Sequence, residues 1–320
     1  MRQRGVALIM VLLVVAVVTV VSAGLVTRQQ LTIRSSGNHQ FQQQAWQYAL
    51  GGEALAKALL ERDLRETGAV DHPGEAWAAP FRAFELEGGG ELRVRIEDLG
   101  GRLNVNGLVR NGRPDRRALE RFQRLLRRLD IHEPYAERLF DWLDADEQAS
   151  GLAGAEDNAY LLLQPAYRAA NRPLADVSEL RLLLNMSEAH YRRLLPHVSA
   201  LPPDARLNVN SAGAVVLSSL GEALEPEGAI ELVATRELAG YRSLEEFFSV
   251  LGEAGQRVSR QRLAVGSQYF QAICEVQWAG RRLVLVSQLQ RGGDGRVRVL
   301  ARDLGQAGLA RTAAGERGDD

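Results

Sequence analysis

From Val6 to Val26 the chain reads VALIMVLLVVAVVTVVSAGLV, without one charged residue. About 20 apolar residues, each rising ~1.5 Å, cross a hydrocarbon core of about 30 Å. This run therefore predicts a membrane-spanning helix. Three fates remain open for the run. As a cleaved secretory signal, it would use Arg2 and Arg4 as the basic region and Val21-Ser22-Ala23 as the site before Gly24, although it exceeds the usual ~7–15 apolar residues. As a plain anchor it would stay in place. A cut between Gly5 and Val6 would instead retain it as the first turns of a longer helix. After the span, residues 28–65 contain no proline and set Phe41, Ala45, Tyr48 and Leu55 at helical spacing. One continuous rod over 6–66 is predicted, in which Gly51-Gly52 weaken the helix but permit close packing.

The chain as a whole has the composition of an ordinary folded protein, and its 320 residues suggest two or three compact units. Its 39 basic and 40 acidic residues give a net charge of -1, so no global field draws it to nucleic acid. Cys274 is the sole cysteine, which excludes an intramolecular disulfide and a cysteine-rich metal site. Thr67 to Pro80 reads as a loop. Two strands are expected around Gly88-Gly89-Gly90, with Leu92, Val94 and Ile96 on a buried face and Arg93, Arg95 and Glu97 on a wet one. Residues 115–200 turn helical. Strands return in QYFQAICEVQW and RRLVLVSQLQ, joined across Ala279-Gly280, with a third from Arg296 to Ala301. The class is α+β: an antiparallel sheet in two parts, 67–102 and 265–302, flanks a helical insertion over 103–264. The small and polar residues of 303–320 predict a disordered tail.

GRLNVNGLV at 101–109 recurs as ARLNVNSAG at 205–213. The echo divides the insertion into modules 103–204 and 205–264, with Asn106 and Ser211 as candidate helix caps. The second module resembles helix-hairpin-helix or SAM-like domains, some of which bind DNA. Glu222, Glu225 and Glu227 would repel phosphates from its hairpin, and the basic helix Arg116–Arg128 reads as a solvated face, so no nucleic-acid partner is expected.

DWLDADEQASGLAGAEDNAYLL, residues 141–162, concentrates chemistry. Asp144, Asp146 and Glu147 on one side of a Gly151–Gly154 loop can converge with Glu156 and Asp157 on the other. Converging carboxylates repel unless a cation lies between them, and Ca²⁺ accepts 6–8 oxygens in irregular geometry. Asp144, Asp146, Glu156 and Asp157 are the expected ligands, with Asn158 and backbone carbonyls as additions. Ala149 and Ala155 occupy the positions where an EF-hand needs glycine and glutamate, so this is not one. No zinc-protease spacing, G-x-S-x-G elbow or P-loop occurs, and Cys274 lies in an apolar strand, so an enzyme is not expected.

A short basic leader ending in Gly5 and followed at once by the apolar run resembles the leader of type IV prepilins and type II secretion pseudopilins. The resemblance implies that prepilin peptidase cuts after Gly5 and methylates Val6. The fifth mature position, glutamate in most pilins, is Met10. That departure, with the acidic loop, resembles the minor pseudopilins of the GspK type. It implies a non-enzymatic tip subunit of the secretion pseudopilus that initiates assembly, caps the filament and binds calcium. Its implied partners are I- and J-type minor pseudopilins, the peptidase and the inner-membrane secretion platform, and its implied place is a single pass through the inner membrane with the body in the periplasm. A calcium-dependent hydrolase and a DNA-uptake pilin subunit are the alternatives.

Overall fold

The computed structural model describes residues 3–79, 83–236, 240–278 and 280–304, with side chains from Leu8 onward. Helix α1 (Gln3–Glu66) runs unbroken for 64 residues. Its apolar part stands free of the rest of the protein and is long enough to cross a membrane. Thr19 and Thr27 return their hydroxyls to the carbonyls of Val15 and Ala23 at 2.8 and 3.0 Å, which satisfies those polar groups within the helix. Gly5 and Val6 lie in the helical backbone, and their side chains fall outside the described residues.

From Phe41 onward α1 lies on a five-stranded antiparallel sheet: β1 (Phe84–Leu86), β2 (Gly90–Asp98), β3 (Tyr269–Trp278), β4 (Arg281–Arg291) and β5 (Val297–Leu304), in that spatial order. Leu92, Val94 and Ile96 do alternate inward, and Val94 pairs with Cys274. Phe41 and Ala45 face inward as expected, and beyond them the helix face shifts by one position. Ala45, Ala49, Ala56 and Leu60 are fully buried with Phe41, while Tyr48 and Leu55 are half-buried. Small residues at the contact let the helix axis approach the sheet. Gly52 sits at the closest point; Gly51 faces open space. The last strand extends to Leu304, two residues into the predicted tail, whose remainder lies outside the described residues.

Between the neighbouring strands β2 and β3 lies the helical insertion, which has its own hydrophobic core around Phe122, Tyr135, Trp142, Tyr160 and Phe247. Its helices are α2 (Arg116–Arg128), α3 (Tyr135–Leu143), α4 (Asp157–Tyr160), α5 (Glu188–Leu194), α6 (Ala214–Ser218), α7 (Pro226–Arg236) and α8 (Leu244–Gly255). The sequence echo has a structural counterpart. Leu103-Asn104 pairs in parallel with Val198-Ser199, and Leu207-Asn208 pairs in parallel with Leu263-Ala264. In each module the second asparagine is a buried clasp. Asn106 accepts from the Leu174 amide and donates to the carbonyls of Leu174 and Leu201; Asn210 accepts from the Tyr241 amide and donates to those of Tyr241 and Val265.

This corrects the expected caps. Asn104 rather than Asn106 caps the short turn Val105–Leu108, and α6 begins after Gly213 with no side-chain cap, because Ser211 faces Asn208. The basic face of α2 is also not simply wet. Arg124 donates to the Ser219 carbonyl at 2.8 Å and Arg121 to that of Ser259 at 2.8 Å, while Arg127 and Arg128 pair with Glu222 and Glu225. These arginines stitch the two modules together.

Candidate metal centre

Helix α3 ends at Leu143, and Asp144 closes it by donating its amide to the Phe140 carbonyl. The chain then loops outward through Gly151 and returns to α4. Asp141, wholly buried on α3, holds that loop: its carboxylate accepts from the Ser150 amide at 3.0 Å and from the Ala155 amide at 2.7 Å. The approach is close enough that a Cβ at Gly154 would lie 2.1 Å from Asp141 Oδ2, so only glycine fits. Trp142 and Tyr160 pack edge to face beneath the loop with centroids 5.1 Å apart. The floor of the site is thus rigid and apolar.

On this floor the loop brings Asp144, Asp146 and Glu156 together, with one oxygen from each within 4.8 Å of the others. Asp144 and Glu156 are only 5% and 2% exposed, while Asp146 is open to solvent. Asp144 Oδ1 and both oxygens of Glu156 are buried without a hydrogen-bond partner. Among the described residues, no arginine, lysine or histidine forms an ion pair with any of the three. Burial pushes the Glu156 carboxyl up to about 7, helped by repulsion from Asp141, Asp144, Asp146 and Asp157. Burial likewise raises Asp144 to about 6, with Asp146 and Asp141 adding to it. Leaving one buried acceptor unpaired costs roughly 1–3 kcal/mol, and more when it is charged. A divalent cation relieves this strain at a stroke, so the donor set fits one.

The other two expected ligands, Asp157 and Asn158, lie beside this triad rather than within it. Asp157 accepts from the Arg168 guanidinium at 3.0 Å and the Ala169 amide at 2.9 Å, one bond to each of its oxygens. Asn158 is exposed on α4, as is Glu147 on the loop. Two residues outside the expected ligand set contribute to it. Asp141 is the internal staple described above. Asn171 donates its amide to the Asp146 carbonyl at 3.0 Å, and its own Oδ1 is buried without a partner. Its position 25 residues beyond Asp146 left no local pattern to find. An array of acids over an apolar floor suits a hard cation.

Family models described as "Type II secretion system (T2SS), protein K" match residues 101–203 and 207–266. Type II secretion system protein K of Pseudomonas aeruginosa is 55% identical, over 99% of this chain and 97% of that protein. The protein of the same description from Klebsiella pneumoniae is 36% identical, over 91% of this chain and 94% of its own length. In the crystal structure of the GspK-GspI-GspJ complex from enterotoxigenic Escherichia coli, one chain superposes with a TM-score of 0.74 and 28% identity, covering 85% of this chain and 99% of that one.

Proposed function

The chain belongs to the type II secretion system protein K family, and from that membership we propose that it sits at the tip of the secretion pseudopilus, starts its assembly and closes it to further addition. It is a minor pseudopilin: an apolar-headed helix, an antiparallel sheet and a large helical insertion form one subunit. The observation that carries the tip reading lies on α1. Its apolar part is wholly unburied by its own fold, and Met10 is exposed on it. By the pseudopilin resemblance, this is the position at which other subunits carry a glutamate that pairs with a neighbour's amine. An acid at that depth costs several kcal/mol without a cationic partner. A subunit with nothing above it avoids that cost by carrying methionine.

In this reading prepilin peptidase cuts after Gly5 and methylates Val6, leaving α1 anchored in the inner membrane with the body in the periplasm. The helix then packs against I- and J-type minor pseudopilins on the inner-membrane secretion platform, while the insertion covers the filament end. The relative solved as a GspK-GspI-GspJ complex supports such partners. The role is structural and uses no turnover. Asp144, Asp146 and Glu156 hold calcium, which offsets most of their charge and fixes the loop, a reading supported by their convergence and their unpartnered buried oxygens. Co-expression with the I- and J-type subunits and extraction in mild detergent tests the reading. The three chains should elute as one complex, and elution of this chain alone would overturn it.

A further inference from the structure

A second group of carboxylates lies far along the chain from the acidic loop, where the rod, the sheet and the insertion meet. Asp63 is near the end of α1, Asp71 and Glu75 are on the loop that follows, and one oxygen from each lies within 4.8 Å of the others. Asp71 is wholly buried and Asp63 nearly so, while Glu75 is half-buried. Their existing partners account for part of their capacity. Asp63 accepts from the Thr67 hydroxyl at 3.1 Å and more distantly from Arg291, 3.5 Å away. Asp71 Oδ2 takes the Arg291 guanidinium and the Ser267 amide. Glu75 Oε2 takes the His72 amide at 2.9 Å and the Trp77 indole at 2.8 Å. Asp71 Oδ1, fully enclosed, has no partner.

Charge decides what is missing. Three carboxylates face one guanidinium, and the adjacent Asp98 is engaged by the Gly100 amide, Asn208 and Ser267. Asp63, Asp71 and Glu75 alone exceed that guanidinium by two negative charges among the described residues, with Asp71 wholly buried. We propose that Asp63, Asp71 and Glu75 form a second divalent-cation site, taking a hard, oxygen-preferring ion such as Ca²⁺, which locks the helical insertion to the rod and sheet. One divalent ion balances the cluster and gives Asp71 Oδ1 its partner. The site is mechanically central. The Asp71 backbone is held on both sides: its amide donates to the Val265 carbonyl, and its carbonyl accepts from the Asn208 side chain at the start of the second module. Arg291 carries the link to the end of β4. An ion here therefore sets how the capping insertion is seated on the rod.

The full-length chain in detergent, stripped by chelator, is titrated with Ca²⁺ and separately with Tb³⁺ excited through tryptophan. Trp77, bonded to Glu75, is the local sensitiser. In Glu75→Gln, which keeps an acceptor for Trp77 and His72, affinity for the junction ion should fall by about tenfold or more as a charged ligand is lost. Trp77→Phe should retain calcium binding and lose the junction's share of Tb³⁺ emission. Glu156→Gln should leave the junction ion in place, so failure of the acidic-loop site is seen separately from failure of this one. Calcium isotherms of wild type and Glu75→Gln that coincide, with Tb³⁺ emission unchanged in Trp77→Phe, would overturn the proposal. Both of these variants alter side chains at the cluster without removing Asp71, so the comparison does not depend on an Asp71 variant folding.

Discussion

Glu53, in the middle of the α1 face that meets the sheet, grips Arg302 on the last strand with both carboxylate oxygens, at 2.7 and 2.8 Å. It also accepts the Ser287 hydroxyl at 2.6 Å. A charged residue thus sits inside the rod–sheet contact, and it ties the end of the sheet to the rod that enters the membrane.

The Arg302 hydrogen bond holds the Glu53 carboxyl below the usual carboxylate range, against the opposing effect of burial. An acid depressed by folding adds stability above its unfolded pKa, about 4.3, and loses that contribution as pH falls through the folded value. The melting temperature of wild type should therefore exceed that of Glu53→Gln at pH 7, and the gap should narrow on acidification below about pH 4. A gap that stays constant down to pH 3 would show that Arg302 does not set the acid's titration.

At Gly52 a Cβ would lie 2.9 Å from both Cys274 Sγ and Val94 Cγ2. Gly52→Ala should destabilise the body by about 1–3 kcal/mol, the usual cost of overpacking. Gly51→Ala meets nothing and should stabilise the helix by roughly 0.5–1 kcal/mol. Urea unfolding of the two variants side by side checks the contrast, which a merely helix-weakening role for both glycines would not produce.

Asn106→Ala leaves the Leu174 amide and the carbonyls of Leu174 and Leu201 without their partner. At about 1–3 kcal/mol for each buried group left unpaired, this should be among the most damaging polar substitutions in the insertion. Asn210→Ala should behave alike in the second module, because its bonds repeat the pattern. Thermal melts of the pair measure whether the echo in sequence is also an echo in energetics.

Calcium at a hundredfold over its dissociation constant should stabilise the chain by ~2.7 kcal/mol per site. For a body of this size that corresponds to roughly 5–10 °C in melting temperature. Chelator should reverse the gain, and Glu156→Gln should remove the acidic loop's share of it. An unchanged melt on chelation, with no bound metal by elemental analysis, would withdraw the ion.

What could be read from the chain followed how local the physics is. The apolar rod and the alternation of Leu92, Val94 and Ile96 are period signals within one element, and both are present in the fold. Phe41 and Ala45 lie on the expected helix face; beyond them the face shifts by one residue, to Ala49 and Ala56, because Ala49, Gly52 and Ala56 carry little hydrophobicity, yet their smallness is what the contact requires. At the acidic loop, Asp144, Asp146 and Glu156 converge as their spacing around the glycines suggested. Asp157 could not be told apart from them, since Arg168 and Ala169, which engage it, arrive from the following loop. The arginines of α2 were misread for the same reason. Their partners, Ser219, Glu222, Glu225 and Ser259, lie in the other module.

The account stands or falls on the fate of the apolar rod. Intact-mass spectrometry of the protein extracted from cell membranes measures it directly. The expected species begins at Val6, carries one methyl group on its terminal amine, and leaves the membrane only with detergent. A freely soluble species whose first residue lies beyond Val26 would contradict a filament subunit built on that helix.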